Sequence, residues 1–156
     1  SGLTWLAGDT MIAYGKANEN WRVDNVRLHK LGTEVSEDVE IFREEDEGFR
    51  VGAGLSAQED WLIIATGDNE TSEVRLVDAA NPTGEQVLVK ARQKGVEYDV
   101  DVRGDAVFIH GLVRLGRISK VNVPESLTGI ALREPRRNRF DSILLSAIHE
   151  RLGILR

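Results

Sequence analysis

Ser56 is the residue of this chain whose surroundings most resemble a nucleophile motif. It lies in GLSAQ, residues 54–58, which matches the pattern G-x-S-x-G of a strand-to-helix nucleophile turn except at Gln58. A catalytic serine also needs a histidine base that is held by an acid. The histidines of the chain are His29, His110 and His149. Nothing in the spacing brings any of them near Ser56, so the sequence predicts no Ser-His-acid triad within this chain.

The same glycines suggest a second chemistry, the binding of a dinucleotide. GAGLSA, residues 52–57, matches G-x-G-x-x-A, and Glu73 follows at about the distance of a ribose-binding acid. A dinucleotide site needs a helix after the glycines, whereas residues 60–66 have the apolar pattern of a strand. We therefore interpret residues 52–57 as a strand followed by a turn.

Acidic residues suggest metal binding at one further place. DVDVRGD, residues 99–105, begins like a calcium loop, but its fifth position is Arg103 and its twelfth is His110. Zinc has no local support, because the chain has no Cys and its histidines are far apart in sequence. We expect no metal and no cofactor, and we interpret residues 99–105 as a strand edge that runs into a turn.

The two most charged stretches are candidate interaction surfaces. Residues 34–47 carry eight carboxylates against Arg43 alone, and REPRRNR, residues 133–139, carries four Arg. The acidic run could attract cations or basic peptides, but a solvated sheet edge and connection is the preferred interpretation. REPRRNR has no interleaved aromatic residues, and the net charge is −6. Nucleic acid is therefore not expected as a partner.

Composition is that of a soluble globular chain. Apolar residues make up 41% and charged residues 29% of its 156 residues. No apolar run approaches the length of a membrane span, and no signal segment opens the sequence. The absence of Cys suits a reducing compartment. The opening Ser-Gly resembles the remnant of a cut.

The elements that must position these residues are strands, because the dominant hydrophobic period is two. In VEYDVDVRG, residues 96–104, apolar residues alternate with charged ones, as in a half-buried strand. Gly, Asn and Asp separate the strand-like runs. The other runs are TMIAY, WRVDNVRL, VEIF, FRVGAG, WLIIAT, SEVRLVD, EQVLV, AVFIH, RISKVNV and ILLSAI.

These runs repeat along the chain. One set of corresponding positions, 48 and 44 residues apart, is Val26, Val74 and Ile118. A second set, 48 and 43 residues apart, is Val39, Val87 and Ile130. A period of 40 to 50 residues with about four strands is typical of a β-propeller blade. The sequence therefore predicts an all-β fold, a partial β-propeller with approximate blades at 3–47, 48–94, 95–137 and, incomplete, 138–156.

The last of these blades starts too early. The step from Val87 to Val107 is 20 residues, but the corresponding step from Ile130 to Ile143 is 13. Either a strand has been lost or about seven residues are missing before Phe140. Residues 139–156 are readable as one amphipathic helix or as two short strands. Since propellers close with about four to eight blades, we expect this chain to be a piece of a larger protein.

Three segments carry a resemblance to a known family. They are KLGTEVSEDVEIFREEDEGFRVGAG (30–54), ETSEVRLVDAANPTGE (70–85) and KARQKGVEYDVDVRGDAVFI (90–109). In order and spacing they resemble the N-terminal propeller of the prolyl oligopeptidase family of serine peptidases, most of all its oligopeptidase B (protease II) group. The resemblance covers residues 3 to about 124 and is weaker in the tail.

The resemblance implies part of a seven-bladed propeller joined to an α/β-hydrolase domain. In such enzymes the Ser-Asp-His triad lies in the hydrolase domain, and no residue here matches it, so no catalytic, cofactor-binding or metal-binding residue is expected. It further implies a cytoplasmic or periplasmic protein that needs no cofactor and cleaves short peptides, after Arg or Lys in the oligopeptidase B group. The propeller would gate access of oligopeptide substrates to the hydrolase domain.

Two alternatives remain open at this point. One is a propeller-type binding protein without a hydrolase domain, and the other is an all-β enzyme that acts on a small molecule through Ser56 or a histidine. An open stack of blades also exposes apolar sheet faces and unpaired edges. We therefore expect the isolated chain to associate with itself through them.

Overall fold

The described part of the chain contains ten strands and no α-helix. The computed structural model describes residues 2–6, 8–103 and 106–113. The first sheet consists of β1 (Leu3–Trp5), β2 (Met11–Ala17), β3 (Val23–Lys30) and β4 (Val39–Arg43). The second consists of β5 (Arg50–Leu55), β6 (Trp61–Gly67), β7 (Ser72–Asp78) and β8 (Gln86–Lys90). β9 (Val96–Arg103) and β10 (Ala106–Val113) form a third, two-stranded sheet among the described residues. None of these residues forms a helix that could span a lipid bilayer.

Each sheet is antiparallel, and its strands are hydrogen-bonded in the order of the sequence. In the second sheet, for example, Ala53 pairs with Ile64, and Ile64 pairs in turn with Arg75. A four-stranded antiparallel meander of this kind is the blade of a β-propeller. The all-β prediction and the predicted strands up to AVFIH are confirmed; RISKVNV, ILLSAI and the candidate helix lie outside the described residues.

The repeat is visible in the structure. Val26 and Val74 lie in the third strand of their sheets, and Val39 and Val87 lie in the fourth. The markers Ile118 and Ile130 lie outside the described residues. The turn between the first two strands also repeats, because it contains a left-handed residue in both sheets, Asp9 (φ 51°) and Glu59 (φ 61°). The first and second sheets therefore share the same strand order and the same conformation in their first turn.

Buried and more exposed residues alternate along the strands because each sheet packs against its neighbour. We call the contact between the first and second sheets the first interface, and that between the second and third the second interface. The buried apolar residues of the first interface are Leu6, Ala13, Val26, Leu28, Val51, Leu62, Ile64 and Val77. Those of the second interface are Val74, Leu76, Val87, Val89, Tyr98, Val100, Val102 and Val107. The second sheet is thus covered on both faces, which stabilises it by about 1.5–3 kcal/mol for each buried large aliphatic side chain.

One turn differs from the sequence prediction. WRVDNVRL was predicted to be strand from its first residue, but β3 begins at Val23. Trp21 lies in the preceding turn with φ 57°. The turn is tight because the two strands approach closely: a Cβ on Gly15 would meet Cγ1 of Val23 at 2.6 Å. A larger residue at position 15 would therefore require the Val23 side chain to move.

Candidate functional site

Ser56 holds a hairpin turn. Its hydroxyl donates a hydrogen bond to Oδ1 of Asp60 at 2.5 Å and accepts one from the N–H of Trp61 at 3.1 Å. The residue is buried, at the edge of an open groove of about 970 Å³ between β1 and the β5–β6 turn. Among the hydrogen bonds of the described residues, none joins Ser56 to a histidine. The hydroxyl is therefore committed to the turn.

The glycines of the dinucleotide-like motif lie in a strand. Gly52 and Gly54 belong to β5, and β6 follows after a short turn, so no helix begins there. Glu73, the candidate ribose-binding acid, lies in β7 and pairs with Arg75 and Arg92. The interpretation of residues 52–57 as a strand followed by a turn is confirmed.

His29 lies beside a carboxylate and a phenol on the outer face of the first sheet. Its Nδ1 is 2.6 Å from Oδ1 of Asp38, and the hydroxyl of Tyr14 donates to Oδ2 of Asp38 at 2.6 Å. Together with Leu3, Ile12 and Val35 they line an open cavity of about 340 Å³. The Tyr14 hydrogen bond, supported by His29, holds the pKa of Asp38 below its usual value, although partial burial opposes this. Burial and the Asp38 contact raise the pKa of Tyr14.

This cluster has the acid and the base of a triad but no serine or other nucleophile in its cavity. The cavity lies on the face of the first sheet opposite the second sheet. Of the other histidines, His110 lies in β10, opposite Asp99, and His149 lies outside the described residues. Among the described side chains, no serine is hydrogen-bonded to a histidine.

Residues 99–103 of the calcium-like stretch lie in a strand, as predicted, while residues 104 and 105 lie outside the described residues. Asp99 and Asp101 lie in β9 and pair with β10 through the backbone. Within residues 2–6, 8–103 and 106–113, no group of three His, Asp or Glu side chains is placed to hold a metal ion. REPRRNR lies outside the described residues.

The acidic run is only partly a solvated edge. Glu45, Asp46 and Glu47 are exposed, as that interpretation requires. Glu44 is different, because only 5% of its side chain is exposed. Its carboxylate accepts hydrogen bonds from the hydroxyl of Thr66 at 2.8 Å and from the N–H of Asp46 at 2.9 Å. For Glu44 the interpretation was wrong.

Glu44 is buried because Arg92 reaches it across the first interface. The guanidinium of Arg92 pairs with Glu44, and its Nε lies 3.6 Å from Oε2 of Glu73. The N–H of Arg92 also donates to Glu73 at 3.0 Å. The guanidinium lies over the ring of Phe49, 4.3 Å from its centroid, which adds a cation–π contact. One arginine thus joins the chain segments that follow the first and second sheets.

The pKa values of both carboxylates reflect this pairing. Burial raises the pKa of Glu44, but hydrogen bonds from Arg92, Asp46 and Thr66 outweigh it and leave the pKa below its usual value. Burial likewise opposes the shift at Glu73, whose pKa is lowered by the N–H of Arg92 and by Arg75. Both groups are therefore charged at neutral pH and bind the sheets together.

The second interface is held by a tyrosine. The Tyr98 hydroxyl donates to the carbonyl oxygen of Lys90 at 2.5 Å and accepts the N–H of Val74 at 2.9 Å. The β7–β8 pairing is irregular at Val74, so this N–H needs another acceptor. The hydroxyl of Ser72 donates a hydrogen bond to the carbonyl oxygen of Tyr98 and accepts one from its N–H, each at 2.6 Å. Burial raises the pKa of Tyr98 to about 12.

Glu44 and Tyr98 thus connect adjacent sheets, whereas Ser56 holds a turn within one sheet. Sequence reasoning missed both interface contacts, but one signal was present. Glu44 and Arg92 are 48 residues apart, which is the repeat length, so opposite charges occupy corresponding positions in adjacent repeats.

Comparison with known proteins agrees with this architecture. Residues 1–111 match the family model "Prolyl oligopeptidase, N-terminal beta-propeller domain". The chain is 34% identical over 98 residues to dipeptidyl aminopeptidase BI of Pseudoxanthomonas mexicana, covering 63% of this chain and 13% of that protein. It is 28% identical over 107 residues to protease 2 of Moraxella lacunata, covering 69% and 16%.

A solved structure is similar over the same region. Oligopeptidase B from Trypanosoma brucei, with covalently bound antipain and in its closed form, superposes with a TM-score of 0.68 at 29% identity. The match covers 70% of this chain and 16% of that one. The chain thus spans about one seventh of the length of the curated relatives named above. It belongs to the prolyl oligopeptidase family, as part of the N-terminal β-propeller domain.

Proposed function

We propose that this chain is the non-catalytic, substrate-gating propeller segment of a serine oligopeptidase that hydrolyses short peptides after Arg or Lys. The observation that carries the proposal is the match of residues 1–111 to the propeller domain of the family. The similarity to protease 2 and to oligopeptidase B supports the choice of subgroup. In this assignment the chain is part of the propeller that limits access to the active site, and peptide bonds are cleaved in another domain of the protein.

The side-chain contacts support a rigid, non-catalytic role for this segment. Ser56 is committed to a turn, and Glu44, Glu73 and Tyr98 are committed to the interfaces between sheets. A gate acts by shape and by contacts between domains, which requires blades that keep their positions. Ion pairs and hydrogen bonds between successive sheets provide that rigidity.

The chemistry of the whole protein would be acyl transfer. A serine attacks the peptide carbonyl, and a histidine takes the serine proton and later returns it to the leaving amine. These residues belong to the hydrolase domain. We further propose that the whole protein works in the cytoplasm or the periplasm, needs no cofactor, and has oligopeptides as its substrates.

A peptidase assay on the full-length protein tests the proposal. We expect cleavage of short fluorogenic peptides with Arg or Lys before the scissile bond, and at least tenfold slower cleavage when Glu or Pro stands there. A folded protein rich in Lys should remain intact, because the gate excludes it. A coding sequence that ends shortly after Arg156, or a full-length protein without peptidase activity, would contradict the proposal.

The 156-residue chain is the matched control in this assay. It should cleave none of the peptides, and it should not inhibit the full-length enzyme when added in excess. A propeller-type binding protein without a hydrolase domain would instead show no cleavage by either protein. The two functions are therefore separated by a single pair of measurements.

A further inference from the structure

Trp21 is the most exposed large apolar residue in the described part of the chain. Its relative exposure is 90%, against 69% for Val35, the next in order. Its φ of 57° lies in the left-handed region, which bulky residues rarely adopt. Strained residues of this kind cluster at binding surfaces, where the surroundings hold them in place.

The turn that carries Trp21 is held by Asn18. The side-chain Oδ1 of Asn18 accepts the N–H groups of Asn20 at 2.9 Å and Arg22 at 3.2 Å. Its carbonyl accepts the N–H of Trp21 at 3.0 Å, and its Nδ2 donates to the buried Asp24 at 3.1 Å. These bonds hold the backbone of the turn, so the position of the Trp21 Cα is fixed and only the side chain has to be ordered when a partner covers it.

The surface next to Trp21 is acidic. The guanidinium of Arg22 donates to the carbonyl oxygen of Asp46 at 3.2 Å, which joins the turn to the connection between the first and second sheets. The exposed carboxylates of that connection are Glu45, Asp46 and Glu47. An exposed indole beside these charges fits a partner surface with an apolar pocket bordered by Arg or Lys.

The topology indicates where that partner comes from. Gly2 accepts a hydrogen bond from the N–H of Gly15, so the chain enters β1 beside the last residues of β2, at the end of the sheet that bears the Trp21 turn. The chain leaves the first sheet at the same end, where the N–H of Glu44 donates to the carbonyl of Asp24. A domain that precedes β1 in the sequence would therefore be joined at this end of the sheet. The relatives contain much more chain than this segment.

We propose that Trp21, with Glu45 and Glu47, is the point at which the catalytic domain of the same protein docks on the propeller. The docking surface of that domain carries an apolar pocket for the indole and Arg or Lys residues for the two carboxylates. This inference rests on the proposed function, because it requires a catalytic domain. Closing of the gate then buries the indole, and opening exposes it.

Photocrosslinking of the full-length protein tests the docking point. Trp21 is replaced by p-benzoylphenylalanine, and Leu31 is replaced in a control. Leu31 is 46% exposed and directly follows β3, at the opposite end of the sheet. After irradiation we expect Trp21→p-benzoylphenylalanine to crosslink to a peptide of the catalytic domain within the same chain, and the Leu31 variant to give no such product. Crosslinks from position 21 only to propeller peptides or to another molecule, or none at all, would overturn the proposal.

A measurement on unlabelled protein and a charge reversal complete the test. Hydrogen exchange of amides 18–22 and 44–48 should be at least fivefold slower in the full-length protein than in the 156-residue chain, while amides 31–38 stay unchanged. Glu45→Lys combined with Glu47→Lys should reduce the crosslink yield at least fivefold; an unchanged yield would refute the role of the charges. Peptidase activity without the crosslink refutes the docking point alone, and a crosslink without peptidase activity refutes the proposed function alone.

Discussion

Replacement of Arg92 by methionine should destabilise the stack of sheets more than its partly exposed position suggests. The side chain of Arg92 is 31% exposed, but those of its partners Glu44 and Glu73 are only 5% and 6% exposed. Methionine keeps an unbranched aliphatic side chain but removes the charge and its cation–π contact with Phe49. Arg92→Met therefore leaves two buried carboxylates without their shared cation.

The size of the stability loss depends on the hydrogen bonds and ion pairs that each carboxylate retains in the variant. Removing one partner of a fully buried ion pair typically costs about 3–5 kcal/mol. Glu44 keeps the hydrogen bonds of Thr66 and Asp46, and Glu73 keeps Arg75. Water also reaches the Arg92 side of the site. We therefore expect a loss of about 2–3 kcal/mol in the free energy of unfolding at neutral pH.

The loss should depend on pH. In the wild type the pKa values of Glu44 and Glu73 are lowered, so their pairing stabilises the fold above the unfolded pKa of about 4.3 and is lost as pH falls through the native pKa values. In Arg92→Met, burial without the cation should raise both pKa values. The penalty is then largest near pH 7 and decreases as the carboxylates become protonated.

Urea denaturation of the 156-residue chain at pH 7 and at about pH 4.5 measures both effects. The variants are Arg92→Met, Glu44→Gln and their combination, with Arg50→Met, an exposed arginine at the start of β5, as the control. We expect the double variant to lose less than the sum of the single losses. A loss for Arg92→Met below about 0.5 kcal/mol, or one that is equal at both pH values, would refute the reasoning.

Three further predictions concern the other polar and apolar contacts. Tyr98→Phe should lower the free energy of unfolding by about 2–4 kcal/mol, because two buried backbone groups lose their partner; a urea-measured loss below about 1 kcal/mol would contradict this. Tyr14→Phe should raise the pKa of Asp38 toward its usual value, since the hydroxyl hydrogen bond is lost; a carboxyl NMR titration that shows no rise would refute the contact. The 156-residue chain should sediment as dimers or larger species that associate through the exposed apolar face around Leu3 and Trp5. Trp5→Glu should shift it toward the monomer. A wild-type chain that stays monomeric at high concentration would count against association through this face.

The strands were predictable because burial on stacked sheets imposes a period of two. In β6, the alternation of Leu62 and Ile64 with less buried neighbours follows directly from the contact with the first sheet. The spacing of Val26 and Val74 predicted the repeat for the same reason, because corresponding residues occupy corresponding places in each sheet. Local pattern therefore determines the fold class.

The polar contacts between sheets were not predictable from local pattern. Glu44 stands in a run of carboxylates, and its burial depends on Thr66 and Arg92, which are 22 and 48 residues away. The position of Trp21 was also mispredicted, because its apolar side chain suggests a strand while the hydrogen bonds of Asn18 impose a turn. Contacts that depend on the relative placement of two sheets are not encoded within either one.

Active-site labelling of the full-length protein tests the central claim most directly. A fluorophosphonate probe reacts with an activated serine, and mass spectrometry of the labelled protein identifies that residue. We expect one label on a serine outside the 156 residues, and no label on the 156-residue chain alone. A label on Ser56, or on any other residue of this chain, would contradict the assignment of a non-catalytic propeller segment.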